Sequence, residues 1–371
     1  MKILIIVNEY PPEKIRGTAM ATEALAKSLT KRGWHVHVIV TCRDSASERE
    51  VAEGIKLYRL RPWPIPYTRT IQRFFKILRL ALQIRPDIIQ GQAASCGLFA
   101  AIVGKILRTP SVTYMQGHDL YESGPIRRHI EIRPSVKYAT KTIAATDELA
   151  RGVKPYAGEN VDVIPYGYQP ENITVQAMEA VKERMRKGVP NILFVGYLHP
   201  DKGTAFLLSA VSLLRVRLPE IFLHLVGDGP LRNELELHVK REGVSENVCF
   251  YGSLSHMEVL AMMRTVDLFV LPSIEEPFGI VLIEALNQGC PVVATRIRAI
   301  PTIIEDGITG TLVSPRDPEA IARAVYSILT DNSLRMKMKQ SARITAKKFH
   351  WDFNVKRFEK VYEEILKWDK I

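Results

Sequence analysis

Short, nearly continuous apolar runs alternate along this chain with longer stretches in which apolar residues return every three or four positions. Residues 3–7 (Ile-Leu-Ile-Ile-Val) and 36–40 are runs of the first kind, and residues 21–32 between them carry the helical period. The same plan returns at residues 192–195, Thr204–Arg215 and Phe222–Val226, the last closed by Gly227-Asp-Gly-Pro230. An uninterrupted apolar run marks a strand buried on both faces. The order strand, loop, amphipathic helix, strand is the βαβ unit of a parallel sheet. The repeat therefore predicts two Rossmann-like α/β domains, and 371 residues suffice for two cores of roughly 150 to 200 residues each. Pro165, Gly167 and Pro170 punctuate the polar stretch 166–174, which places the boundary there and gives domains 1–169 and 170–350.

Doubly wound sheets bind their ligands beyond the carboxyl ends of the strands, so the loops that follow apolar runs are where chemistry is expected. After Leu268-Phe-Val-Leu-Pro272 comes Glu276-Pro-Phe-Gly-Ile-Val-Leu-Ile-Glu284. The pattern predicts a loop carrying Glu276, then a helix beginning near Gly279 with Glu284 about one turn inside it. The backbone N–H groups of Gly279, Ile280 and Val281 then face an anion. The flanking carboxylates accept hydrogen bonds from vicinal hydroxyls, such as those of a ribose or hexose. Donors for phosphate beside acceptors for sugar describe a nucleotide-sugar site, although Glu284 taken alone is equally an ordinary solvated helix residue.

Other loops add candidates. Lys202 precedes a predicted helix, from which its ammonium reaches the same anion and stabilises charge that builds on a departing diphosphate. Gly17 closes the first loop just before a helix and permits close approach of backbone to phosphate. His118, in Tyr114-Met-Gln-Gly-His-Asp119, follows another apolar run and offers its imidazole to a sugar hydroxyl. Neither domain start carries GxGxxG, which argues against a classical NAD enzyme, and there is no GxxxxGK[ST] loop. No Asp-x-Asp pair or cluster with metal-ligand spacing occurs. No metal and no resident cofactor are therefore expected, and diphosphate neutralisation falls to Lys202, helix termini and other basic groups. Cys42, Cys96, Cys249 and Cys290 lie far apart and read as small buried hydrophobes.

A net charge of +11 and a pI near 9.4 favour an anionic partner. The charge is uneven. Residues 54–86 contain no acidic residue but include Lys56, Arg59, Arg61, Arg69, Arg73, Lys76, Arg79 and Arg85. On a helical projection Ile71, Phe74, Phe75, Leu78, Ala81 and Leu82 share one face, with Arg69, Arg73 and Lys76 on another. That is the pattern of a segment held against anionic lipid, and equally of a helix packed on a sheet with a solvated basic face. No nucleic-acid-binding module accompanies the charge, so nucleic acid is not an expected partner. With a buried strand at residues 3–7 and no apolar run of roughly 18 residues, the expectation is a cytoplasmic protein, and the first of the two readings of 54–86 adds peripheral attachment to the inner face of the cell membrane.

At this point the residues resemble a known family, the retaining glycosyltransferases of family 4 (glycosyl transferases group 1), and do so over almost the full length. Glu276-Pro-Phe-Gly279 through Glu284-Ala, followed by Gly289-Cys-Pro-Val-Val-Ala294, resembles the family's donor-binding signature. Supporting pieces are Pro11-Pro12 with Gly17, His118-Asp119, Lys202-Gly203, Gly227-Asp-Gly-Pro230 and Pro272-Ser273. The resemblance implies a GT-B fold, two Rossmann-like domains facing across a cleft, with acceptor on the side of 1–169 and donor on 170–350. It also implies that a C-terminal helix, 351–371, packs back on the first domain. It assigns the ribose hydroxyls to Glu284, the transferred sugar to Glu276, the diphosphate to Lys202, a phosphate to the backbone of Gly17, and the sugar near the reacting carbon to His118. The implied donor is a UDP- or GDP-sugar, and the acceptor a hydroxyl in glycolipid, polysaccharide or glycan synthesis; the membrane reading of segment 54–86 gives access to a lipid-linked or phosphorylated one.

The chain also departs from that pattern. Tyr197 stands where an arginine that assists Lys202 is usual, Arg298-Ala299 and Pro301-Thr302 replace the double glycine and Pro-Glu, Arg16 occupies a glycine position, and Tyr166 replaces an asparagine. Arg16 and Arg298 are candidates to return the missing positive charge. Two alternatives stay open on the sequence: a nucleotide-sugar-binding subunit with impaired catalysis and, more distantly, a Rossmann-type oxidoreductase. In the transferase reading, no evident nucleophile favours front-face departure and attack, with Glu276 positioning the sugar.

Overall fold

The computed structural model describes residues 1–12, 17–41, 48–60, 69–116, 124, 128–276 and 278–368. The chain divides into two units, Met1–Gln169 with Phe349–Ile371, and Pro170–Lys348. No helix among the described residues is long and apolar enough to cross a membrane.

Among the described residues the first unit forms eight strands: β1 (Lys2–Val7), β2 (His35–Val40), β3 (Glu48–Ala52), β4 (Ile55–Arg59), β5 (Ile88–Gln92), β6 (Ser111–Met115), β7 (Lys141–Ala144) and β8 (Val161–Val163). They run in the order β3-β4-β2-β1-β5-β6-β7-β8. The central strands are buried on both faces, as in Ile3, Leu4, Ile5 and Ile6 of β1, which explains their continuous apolar sequence. The sheet departs from the expected parallel arrangement at one edge, where β3 pairs antiparallel with β4. The cause is local: Glu53 and Gly54 both have positive φ, 49° and 80°. Two consecutive residues of that kind make a tight hairpin, whereas a parallel neighbour needs a long crossover.

Residues 349–368 complete this unit. The backbone N–H of Tyr168 donates to Phe349 C=O at 2.6 Å and that of Trp351 to Tyr168 C=O at 3.1 Å. In the helix Trp351–Trp368, the side chains of Trp351, Phe358 and Tyr362 are buried. Trp34 meets Tyr362 edge to face at 5.4 Å and donates its indole N–H to Glu359 at 3.0 Å. Gly167 is required here, since a Cβ on it would lie 2.2 Å from the Trp351 ring.

The basic segment forms the helix Arg69–Ile84 with its faces divided otherwise than the projection suggests. Ile77, Leu80, Ala81 and Ile84 are buried in the core with Phe74 against them, and Arg73 is half-buried on that side. Ile71, Phe75 and Leu82 point outward, 60%, 61% and 55% exposed, beside exposed Arg69 and Arg79. Ile77, Leu80, Ala81 and Ile84 fill the arc that meets the core, and the outer apolar stripe is left over.

The second unit has six parallel strands: β9 (Asn191–Val195), β10 (Phe222–Val226), β11 (Val248–Gly252), β12 (Leu268–Leu271), β13 (Val292–Thr295) and β14 (Gly310–Val313). Their order is β11-β10-β9-β12-β13-β14. From β9 the chain winds one way to β10 and β11; from β12 it winds the other way. The switch point lies between β9 and β12, whose carboxyl ends deliver the loops carrying Lys202 and Glu276 to one place.

Candidate functional site

The loop after β9 is shaped by backbone constraints. Residues Pro200–Lys202 form a single turn of 3-10 helix, with Lys202 N–H donating to His199 C=O at 3.0 Å. Gly203 ends the turn at φ 62°, and a Cβ there would meet Pro272 C=O at 2.1 Å. Glycine is the residue that allows both the left-handed backbone and this approach to the end of β12. Asp201 C=O accepts from Ile274 N–H at 2.7 Å and from Glu275 N–H at 3.1 Å. The two loops are therefore stitched together through main chain, and their side chains are held in fixed register.

Across that seam Lys202 Nζ donates to Glu276 Oε2 at 2.6 Å. Glu276 is only 8% exposed, so its carboxylate is largely desolvated, and the hydrogen bond from the half-buried lysine is charge-assisted. Beyond Glu276, Gly279 caps the helix Ile280–Asn287 with φ 91°. A Cβ on Gly279 would stand 3.5 Å from Glu276 Cγ, which sets the carboxylate beside the helix start. The first bond of that turn runs from Leu282 N–H to Gly279 C=O at 2.9 Å. The N–H groups of Gly279, Ile280 and Val281 precede the ladder, as the first donors of a helix do. An ammonium, a carboxylate and a helix N-terminus thus converge at the switch point.

Glu284, in the next turn of the same helix, is fixed by a residue that the sequence pattern does not single out. His256 Nε2 lies 3.0 Å from Glu284 Oε1, and its Nδ1 lies 3.5 Å from Glu171 Oε1. The hydrogen bond to Glu284 raises the pKa of His256 above its ordinary value, with the charges of Glu284 and Glu171 adding to it and burial opposing it. The only sequence signal nearby is Ser255-x-x-Glu258, a capping box that starts the helix His256–Thr265 and brings this histidine to its first position.

The remaining candidates divide. Gly17 opens the helix Gly17–Lys31 after β1 in the first unit. Arg16 and His118 lie outside the described residues. Arg298 adopts a left-handed backbone, φ 45°, where the resemblance leads one to expect glycine, and its guanidinium donates to Glu275 Oε2 at 3.0 and 3.1 Å. Tyr197 is 61% exposed and stacks on His199, ring centroids 6.2 Å apart, so this position contributes no second cation. Tyr166 is buried in the first unit and donates to Gln116 C=O at 3.1 Å, a structural role. His224 is also structural. Its Nε2 faces the acceptor Asn191 Oδ1 at 2.8 Å and its Nδ1 faces the Tyr251 hydroxyl at 3.0 Å, and burial lowers its pKa to about 4.

With this geometry in view, comparison with known proteins decides the family. Residues 15–172 match Glycosyltransferase Family 4 and residues 176–345 match Glycosyl transferases group 1. The chain belongs to the family 4, group 1 glycosyltransferases. An uncharacterized glycosyltransferase of Methanocaldococcus jannaschii is 28% identical, the match covering 98% of this chain and 98% of that protein. A glycogen synthase of Mycobacterium tuberculosis is 27% identical over 92% of this chain and 89% of its own length. Among solved structures, Anabaena HepE in complex with UDP superimposes with a TM-score of 0.81 at 20% identity, covering 98% of this chain and 100% of that one. The fold is GT-B, and the protein is a glycosyltransferase.

Proposed function

We propose that this glycosyltransferase is a retaining enzyme that moves a hexose-type sugar from a nucleotide-diphosphate-sugar to an acceptor hydroxyl. The observation that carries the reading is the Lys202–Glu276 pair beside the helix start at Gly279. In this reading the diphosphate lies against the N–H groups of Gly279, Ile280 and Val281 and draws Lys202 to it, while Glu276 turns to the hydroxyls of the transferred sugar and Glu284 takes the ribose. The donor is a UDP- or GDP-sugar; UDP in the HepE structure supports the first. Gly17 contributes backbone N–H and His118 its imidazole from the first unit, and Arg16 and Arg298 are auxiliary cations.

The bond from the anomeric carbon to the diphosphate oxygen breaks first, giving an oxocarbenium-like state. The departing oxygen takes the proton from the acceptor hydroxyl, and the acceptor oxygen bonds to the anomeric carbon on the face just vacated. Configuration is kept without a covalent intermediate. Lys202 stabilises the charge that grows on the leaving group, an effect larger in the transition state than in the bound donor. No divalent ion enters this scheme.

A panel of UDP-, GDP- and ADP-sugars, with lipid-linked, polysaccharide and small soluble acceptors, tests it by mass spectrometry and product NMR. Transfer with the donor's anomeric configuration, insensitive to chelator, is the expected result. An inverted product, or activity lost to chelator and restored by a divalent ion, overturns the mechanism. Tight donor binding without transfer points instead to a binding subunit. The outward apolar stripe of Ile71, Phe75 and Leu82 with Arg69 and Arg79 supports a lipid-linked acceptor reached at an anionic membrane.

A further inference from the structure

Both ring nitrogens of His256 face carboxylates, Glu284 at 3.0 Å and Glu171 at 3.5 Å. A neutral imidazole carries one N–H and one lone pair, so it satisfies one carboxylate and turns a lone pair on the other. The imidazolium donates to Glu284 and forms an ion pair with Glu171. Glu284 reaches the ring from the helix Ile280–Asn287, and Glu171 from the segment ahead of the helix Val175–Arg184. Glu258, on the histidine's own helix, is engaged elsewhere, accepting from Arg184 at 2.7 Å and from Ser255 N–H at 3.1 Å. The ring's pKa is raised chiefly by its hydrogen bond to Glu284, in keeping with the doubly protonated form.

The helix start does not need this side chain. Ser255 Oγ accepts from Glu258 N–H at 3.3 Å, and the Glu258 carboxylate accepts from Ser255 N–H, so the first turn is capped without it. Glu284 has a 15% exposed side chain and would rotate among rotamers if its anchor on His256 were lost. What His256 constrains is therefore the carboxylate.

We infer that His256 is a positioning residue of the donor site: held between Glu171 and Glu284 as an imidazolium, it fixes Glu284 Oε1 and leaves Oε2 to accept from the vicinal hydroxyls of the donor ribose. The inference rests on the reading of Glu284 as the ribose acceptor. It makes donor affinity pH-dependent with a defined sign. The charged ring holds Glu284 more firmly than the neutral one, so affinity is full below the raised pKa of His256 and falls several-fold as pH rises through it. Glu171, by favouring the cation, sets where along the pH axis this happens.

Calorimetric titration of UDP-glucose, GDP-mannose and ADP-glucose into the full chain, from about pH 6 to about pH 9, reads this directly. The phosphates of these donors do not titrate in that range, and neither does the adenine of ADP-glucose, whereas the uracil and guanine N–H groups begin to titrate at its alkaline end, so the change that belongs to the histidine is the part that His256→Ala removes. The tightest of the three should weaken several-fold in the parent as pH rises. His256→Ala should weaken it about tenfold at the acidic end and flatten the pH profile, while kcat at saturating donor stays within about twofold. Glu171→Gln should move the midpoint to lower pH and retain acidic-side affinity. The 2′,3′-dideoxy form of the same donor should bind parent and His256→Ala equally. If the parent binds none of the three donors, the donor-site reading falls with the inference. If the parent binds and His256→Ala reproduces its affinity and pH profile, the donor site stands and the role of His256 is overturned.

Discussion

Lys202 Nζ and Glu276 Oε2 are 2.6 Å apart, although the residues are separated by 74 positions in sequence. The cation proposed for the diphosphate and the carboxylate proposed for the sugar are thus already partners in the free chain. Each keeps the other at the switch point until the donor, in the reading proposed above, supplies both with new partners.

The pair links activity to stability. An isolated loop lysine would matter for rate alone, whereas removing this one leaves a buried carboxylate without its counter-ion. Lys202→Ala should lower kcat/KM by roughly 10²-fold, about 2.7 kcal/mol, and should also cost about 1 to 3 kcal/mol of stability. The double variant Lys202→Met with Glu276→Gln should recover stability but not rate. Urea melts beside initial rates check both; full activity in Lys202→Ala would remove the lysine from the reaction.

The seam that presents the pair depends on Gly203. Its φ is 62°, and the Cβ of an alanine there would stand 2.1 Å from Pro272 C=O, so Gly203→Ala should displace one loop from the other. The expected loss exceeds about 2 kcal/mol. Gly188 is the control: its φ is 79°, but nothing lies within 4 Å of an added Cβ. Gly188→Ala should therefore cost only the backbone term, about 1 to 2 kcal/mol. Equal losses in the two variants would show that the close approach carries no weight.

Both candidate glutamates, Lys202 and the helix start at Gly279 are readable from the chain because each follows an apolar run and is marked by Gly or Pro. The helix Thr204–Arg215 and strand Phe222–Val226 are legible for the same reason, local period and punctuation. What the chain does not state is strand order. The Lys202–Glu276 contact and the Glu171–His256–Glu284 bridge exist because β9 adjoins β12 and the helix His256–Thr265 lies between its neighbours, relations made by topology. The antiparallel edge is hidden in a two-residue turn, Glu53-Gly54, that composition does not flag. The faces of Arg69–Ile84 escape a helical projection because apolar residues cover more than half its circumference, and a projection cannot say which arc meets the sheet.

Buried histidines predict an acid-side weakness. His224 in the second unit and His37 in the first both have pKa values lowered by burial to about 4. Their unfolded value is about 6.5, so the unfolded chain binds more protons between these limits and stability falls as pH drops through that window. The full contribution is present above about pH 6.5, and each histidine removes up to about 1.4 kcal/mol per pH unit below it. His224→Gln should lower the Tm at neutral pH, through lost contacts with Asn191 and Tyr251, yet reduce the slope of Tm against pH between about 6.5 and 5. An unchanged slope would mean that His224 is already protonated in the folded chain.

The last prediction concerns the outward face of Arg69–Ile84. Ile71, Phe75 and Leu82 follow one another along the helix and are more than half exposed, with Arg69 and Arg79 exposed alongside. An apolar stripe edged by cations suits the boundary between lipid headgroups and acyl chains, where each basic residue near an anionic surface contributes about 1 kcal/mol. Flotation with vesicles of mixed phosphatidylcholine and phosphatidylglycerol should exceed that with phosphatidylcholine alone and should weaken with salt, because the charges act within about 8 to 10 Å. Arg69→Glu with Arg79→Glu should reduce binding about tenfold or more, and Phe75→Ser should reduce it without altering the salt dependence. Arg73 is the informative control. It is half-buried on the core side, so reversing it should lower stability and leave membrane affinity of the folded fraction unchanged. If Arg73→Glu abolishes flotation while Arg69→Glu with Arg79→Glu does not, the face pointing outward is not the one that meets the membrane.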